Sequence, residues 1–200
     1  MTGTKTDLPL FLREFVRAPT RTAAVAPSGP ALADRMALPI PHRGDPVVVE
    51  LGPGTGAFSK AIGRRLGGRG HHLAIEVNPL MVDRLAARFP QIQVAHGEAG
   101  RLPEILAARG IDRADVIVSG LPWFAYTAPG PRPLADTLAA ALTDDGVLTQ
   151  FAYTWTRWAP PAVRLLAGLR ARFEEVVTSR TVWSNVPPAT VYYARRPHGR

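Results

Sequence analysis

The chain has no cysteine. Disulfides, thiolate metal sites and cysteine nucleophiles are therefore all excluded. Lysine is almost missing too, with only Lys5 and Lys60. No uninterrupted apolar run approaches the ~18 residues that a membrane-spanning helix needs. The first thirty residues mix Asp7, Arg13, Glu14, Arg17 and Arg21 with apolar residues and contain no secretory-signal core, so a cytoplasmic location is expected. Charged residues are only 20% and apolar ones 46%, which excludes a disordered chain, a collagen or a coiled coil. Acids are outnumbered, 16 to 24, and the net charge is +8. Eight arginines lie between Arg157 and the C-terminus, against Glu174 and Glu175 alone. Such a surface suits an anionic partner: nucleic acid, anionic lipid or an acidic metabolite.

Two hundred residues make one domain with an appendage. The appendage is expected over 1–45. There Leu8, Phe11, Leu12, Phe15 and Val16 share one face of a helical wheel, opposite Arg13, Glu14 and Arg17. Ala18-Pro19 ends this helix, because a residue before proline avoids helical dihedrals. Ser28 then reads as the cap of a second helix, with Pro30 in its first turn and Ala31–Ala37 following. Pro39, Pro41 and Gly44 mark the boundary with residues 46–200.

From Pro46 onward short apolar runs alternate with helical patterns. Strands are expected at 46–50, 72–76, 92–95, 114–119 and 146–153, and helices at 58–66, 79–88, 134–142 and 161–172. A closing pair of strands follows at 173–182 and 190–194. This is an α/β pattern: a mostly parallel, seven-stranded sheet with helices on both faces and an antiparallel closing strand.

The sharpest motif is Glu50-Leu-Gly-Pro-Gly-Thr-Gly56, at a strand-to-helix turn. Gly52 and Gly54 let backbone approach a ligand, and Gly56 opens the helix. Gly52, Gly54 and Ala57 also satisfy the looser dinucleotide pattern. Charge separates the two readings. A pyrophosphate over this turn would oppose Glu50, whereas the sulfonium and ammonium of S-adenosylmethionine would be favoured by it. Glu76 ends the next strand, where a carboxylate can accept both ribose hydroxyl protons of either cofactor.

The run Val48-Val-Glu-Leu-Gly-Pro-Gly-Thr-Gly56 resembles motif I of the Rossmann-like class I methyltransferases. Its Pro53 form looks most like the ribosomal RNA adenine dimethylases and the small, soluble bacterial phosphatidylethanolamine N-methyltransferases. The resemblance implies that Gly52, Gly54 and Gly56 line the methionine portion of S-adenosylmethionine, with Glu50 near its ammonium and Glu76 on the ribose. Glu98, in His96-Gly-Glu-Ala99, matches the acid that meets the adenine amine. Val77, Ala99, Ser119 and Leu121 complete the implied cofactor set.

The acceptor side favours lipid. Ser119-Gly120-Leu-Pro-Trp123 stands where the adenine dimethylases carry Asn-Leu-Pro-aromatic, so the amide that would hold a nucleobase amine is missing. The Ser-Gly-Leu-Pro form is similar to the phospholipid methyltransferases. So are the stretch from Phe11 to Ser28 and the closing segment Val182–Val191. The resemblance implies methyl transfer to the amine of phosphatidylethanolamine, in successive steps towards phosphatidylcholine. The N-terminal amphipathic helix would lie on an anionic membrane surface, making the protein peripheral at the inner face. Packing of that helix on the sheet domain is the alternative, and both hold if the helix caps the active site and detaches partly onto lipid.

For the acceptor amine, Tyr126 and Tyr153 are candidates to stabilise or deprotonate it. Trp123 could offer a cation–π face to the methylated product. Arg17, Arg21 and Arg157 are candidate phosphate contacts. His71-His72 has no partner at metal spacing and reads as flanking a strand, so no metal is expected. Other readings stay open: a methyltransferase of a small metabolite, an RNA methyltransferase, which Ser119-Gly120 disfavours, or a non-catalytic binding module on the same fold.

Overall fold

The computed structural model describes residues 28–122 and 133–198. The elements are α1 (Pro30–Met36), β1 (Val47–Leu51), α2 (Ala57–Leu66), β2 (His71–Glu76), α3 (Pro79–Arg88), β3 (Gln93–His96), α4 (Leu102–Ala107), β4 (Ala114–Ser119), α5 (Leu134–Ala140), β5 (Leu142–Tyr153), α6 (Pro160–Arg170), β6 (Phe173–Thr178) and β7 (Ala189–Pro197). The seven strands form one sheet in the order β3-β2-β1-β4-β5-β7-β6. β1 pairs in parallel with β2 and β4, β2 with β3, and β4 with β5, while β7 runs antiparallel to both of its neighbours. This is the expected mixed sheet with one reversed strand. The strand order reverses beside β1, between β2 and β4, and α/β folds bind ligands at the carboxyl ends of strands at such a point.

β1 carries the logic of both faces. Val49 and Leu51 enter one core with Leu73, Ile75, Leu102, Leu138 and Phe173. Val48 faces the other, with Leu32 and Met36 of α1, Phe58 and Ile62 of α2, and Tyr193 of β7. Since strand side chains alternate, Glu50 projects on the α2 face with Val48. Burying each of these large side chains contributes about 1.5–3 kcal/mol.

α1 is part of this core, for Leu32, Ala33 and Met36 are all buried. α1 thus packs against β1 and α2 from the N-terminal side of the boundary expected near Asp45. The cap of α1 also differs from expectation. Gly29, not Ser28, is the N-cap, and no side chain caps the helix from within. Asn185 does a related job from a distance, its Oδ1 accepting the Gly29 N–H at 2.8 Å. The first strand of the closing pair stops at Thr178 rather than running to Val182, and only a Val182–Ala189 bridge continues it. α4 went unread in the sequence, since Pro103 sits in its first turn and the helix is six residues long.

Candidate functional site

The carboxyl ends of β1, β2 and β4 converge on the glycine turn. Gly52 N–H donates to Ile75 O at 3.0 Å, and Gly120 N–H donates to Leu51 O at 2.8 Å. The turn is thus tied to both neighbouring strands. The three glycines do different things. Gly54 has φ +52, and a Cβ there would meet nothing within 4 Å, so its backbone lies open. Gly56 has φ +83, and a Cβ there would stand 2.5 Å from Phe89 Cε2. Gly56 therefore lets α2 start against the Phe89 ring. It is buried and contributes packing. At Gly52 a Cβ would approach Leu121 Cδ2 to 2.9 Å.

Glu50 is fully buried. Ser59 Oγ donates to its Oε2 at 2.7 Å, and His72 Nε2 lies 3.0 Å from the same oxygen. Glu50 Oε1 has no hydrogen-bond partner among the described residues. Glu50 is thus closed off from solvent on the α2 side of the sheet, near the end of β1 before the glycines.

Glu76 is nearly buried and faces the turn. Its Oε1 accepts Asn78 N–H at 3.0 Å, and its Oε2 lies 3.4 Å from Gly54 N. Val77 follows with its side chain 62% exposed, while its carbonyl is bound by His96 Nε2 at 3.0 Å. Glu98 is half-buried one turn beyond β3, and the β2–β3 register opposes Glu76 to His96, so both acids sit at the same edge of the sheet. Ala99 and Ser119 are buried, whereas Leu121 is half-buried above Gly52.

Tyr153 ends β5 at this edge. Its ring stacks on Trp155 at 6.3 Å and meets Phe151 edge-on at 5.5 Å, and Phe151 meets Phe58 at 5.8 Å. Burial raises the Tyr153 phenol above the ordinary tyrosine value. It is therefore a neutral phenol at physiological pH, suited to donating or accepting a hydrogen bond and not to removing a proton as phenolate. Trp123, Tyr126, Arg17 and Arg21 lie outside the described residues.

Ser59 and Gln150 went unread in the sequence, where His72 was read only as flanking a strand and Gly120 only as part of the acceptor segment. Ser59 and His72 hold Glu50. Gly120 brings β4 against the turn, where a Cβ would stand 2.8 Å from Gly52 O. Gln150 Nε2 donates to Leu121 O at 3.0 Å and to Phe151 O at 2.8 Å, fixing the backbone beyond β4. His72 had a usable signal. Parallel pairing puts it opposite Val48, one pleat from Glu50 and on the same face.

The open Gly54 backbone, the unpartnered buried carboxylate oxygen and the second carboxylate at Glu76 suit a cationic ligand portion and oppose a pyrophosphate. These residues fit S-adenosylmethionine. The chain is 33% identical over 192 residues to the ornithine lipid N-methyltransferase of Singulisphaera acidiphila, spanning 94% of this chain and 96% of that one. It belongs to that family of class I S-adenosylmethionine-dependent methyltransferases. No family model matches the methyltransferase. Among solved structures, the O-methyltransferase from Bacillus cereus in complex with SAH shares its fold at a TM-score of 0.66 and 13% identity, covering 93% of this chain and 90% of that one. An S-adenosylmethionine-dependent O-methyltransferase from Thermotoga maritima does so at 0.65 and 14%, covering 95% and 72%. The methyl donor is S-adenosylmethionine.

Proposed function

We propose that the methyltransferase transfers methyl groups to the primary amine of a membrane lipid. The observation that carries this reading is the match, along nearly the whole of both chains, to an ornithine lipid N-methyltransferase. The sequence pointed to phosphatidylethanolamine. Both lipids present a primary amine on an acyl-chain anchor, and ornithine lipid takes precedence here because the relative names it.

S-adenosylmethionine supplies an electrophilic methyl group on a sulfonium. Gly52 and Gly54 backbone would receive its methionine portion, over the buried charge of Glu50. Glu76 would take the ribose hydroxyls, with Val77 against one face of the adenine and Glu98 accepting from its amine. Ser119, Leu121 and Gln150 hold the end of β4, where the acceptor amine would approach. Aligning amine and methyl group is the main task, and orientation of this kind supplies several kcal/mol. The amine must arrive neutral, although its ordinary pKa is near that of lysine, about 10. The amine nitrogen would take the methyl group as the S–C bond breaks, and the surplus proton would leave from nitrogen to water. Tyr153 would orient the amine through its phenol oxygen. The amphipathic N-terminal segment would meet an anionic bilayer. Among the described residues no helix is long and apolar enough to cross a membrane.

The test follows labelled methyl groups from S-adenosylmethionine into detergent-dispersed ornithine lipid and, in parallel, phosphatidylethanolamine. Label in either lipid supports a lipid-amine acceptor, and the ratio of rates names the preferred one. Label in neither, with S-adenosylmethionine binding intact by calorimetry, overturns the reading.

A further inference from the structure

The carboxyl edge of the sheet carries a second feature, two strands away from the glycine turn. Trp155 and Trp158 follow β5, while Trp183 and Val186 lie in the loop leading into β7. The two stretches adjoin. Thr154 N–H and Oγ1 both donate to Pro188 O, at 2.8 and 3.0 Å. Ala189 is paired with Tyr153 on one side and bridged to Val182 on the other. These side chains are open: Trp158 is 76% exposed, Trp183 74% and Val186 72%. An exposed tryptophan is costly to leave in water, and three at one edge call for a partner.

Charge indicates which one. Arg157 lies over the Trp158 ring at 4.4 Å, and Arg180 is exposed at the start of the neighbouring loop. Neither forms an ion pair among the described residues. The sequence has no Asp or Glu between Tyr153 and Glu174, and none after Glu175. A patch of indoles interleaved with arginines outside any ion pair among the described residues, on segments that carry no acid of their own, matches the interface of an anionic bilayer. There indoles sit at headgroup depth and arginines meet lipid phosphates. The aromatic run Phe58–Phe151–Tyr153–Trp155 connects this patch to the helix that follows the glycine turn.

We infer that Trp155, Trp158, Trp183 and Val186, with Arg157 and Arg180, form a surface that docks the methyltransferase on an anionic bilayer with the mouth of its site facing the lipid headgroups. The inference rests on the lipid-amine reading for its purpose, but vesicle binding tests it without any acceptor.

The experiment uses the full chain and vesicles of phosphatidylcholine with phosphatidylglycerol, compared with phosphatidylcholine alone. The expected result is sedimentation with the anionic vesicles only, and quenching of tryptophan emission by brominated acyl chains. W158A/W183A should reduce the partition coefficient about tenfold or more, since each lost indole removes most of its buried apolar area. Methyl transfer to detergent-dispersed lipid should stay at the wild-type rate, so a failure of the acceptor reading would show up there and not in vesicle binding. W158F/W183F should recover part of the binding, which distinguishes lost docking from lost folding. Wild-type protein that ignores anionic vesicles overturns the inference. So does W158A/W183A protein that binds them as well as wild type, which would leave binding to the N-terminal segment. Concentration-dependent dimers abolished by the same substitutions, with vesicle binding unchanged, would assign the patch to a second copy of the chain and also overturn it.

Discussion

His72 Nε2 stands 3.0 Å from Glu50 Oε2, with both side chains closed off from solvent. Ser59 adds its hydroxyl to the same oxygen. The carboxylate is thus held by one strand and one helix, while its other oxygen has no partner among the described residues. Glu50→Gln keeps the shape and the acceptor for Ser59 but removes the charge. It should lower S-adenosylmethionine affinity about tenfold or more, which is ~1.4 kcal/mol. Calorimetric titration is the check, and an unchanged affinity would leave Glu50 a purely structural group. His72→Ala should cost about 1–3 kcal/mol of stability by depriving a buried carboxylate of a neighbour.

The glycines of the turn should separate binding from folding. Gly54→Ala places its methyl in open space, so the folded protein loses only the left-handed penalty of about 1–2 kcal/mol. The methyl would nevertheless occupy the surface assigned to the cofactor, and affinity should fall at least about tenfold. Gly56→Ala drives its methyl into the Phe89 ring in addition to the same backbone strain, and should cost about 2–4 kcal/mol of stability. Thermal melts with and without S-adenosylmethionine distinguish the two. Equal melting temperatures for both variants without cofactor would contradict this division of labour.

The order of strands and helices was legible because the chain alternates apolar runs of strand length with helical patterns, and Glu50-to-Gly56 marked the turn on which β1, β2 and β4 converge. Contacts that depend on register were not legible. Nothing local says that His72 comes to face Glu50, because that follows from pairing β1 with β2. Nor does anything local say that Gly120 must be small, since the close atom is Gly52 O on another strand. Ser28 looked like a cap because serine commonly is one, yet the group that meets Gly29 is Asn185, distant in sequence by 156 residues. Glycine at the cap position needs a partner that sequence spacing cannot reveal.

Asn185 is buried and spans two segments, accepting Gly29 N–H with Oδ1 and donating through Nδ2 to Pro187 O at 2.6 Å. Asn185→Ala strands a donor at the start of α1 and a carbonyl in the loop that carries Trp183 and Val186. It should destabilise the fold by about 1–3 kcal/mol, with S-adenosylmethionine affinity unchanged because no part of the glycine turn is touched. Denaturant titration tests the first expectation and calorimetry the second. A wild-type midpoint would mean that water replaces the side chain on both partners.

Tyr153 gives a pH dependence with a definite sign. Burial raises its phenol pKa, and Tyr192 and Tyr193 shift the same way for the same cause. A folded-state pKa above the unfolded one stabilises the protonated form. That stability is fully present below the ordinary tyrosine pKa of about 10 and is lost as pH rises through the raised value. Alkaline unfolding should therefore begin above about pH 10, and Tyr153→Phe should soften it by removing one of the three phenols. The same shift bears on catalysis. A phenol that resists ionisation can orient the acceptor amine but cannot deprotonate it. Tyr153→Phe should accordingly lower kcat for lipid methylation while leaving the midpoint of the kcat/KM–pH profile in place, since that midpoint would belong to the amine. A midpoint that moves in the variant would restore Tyr153 as the base.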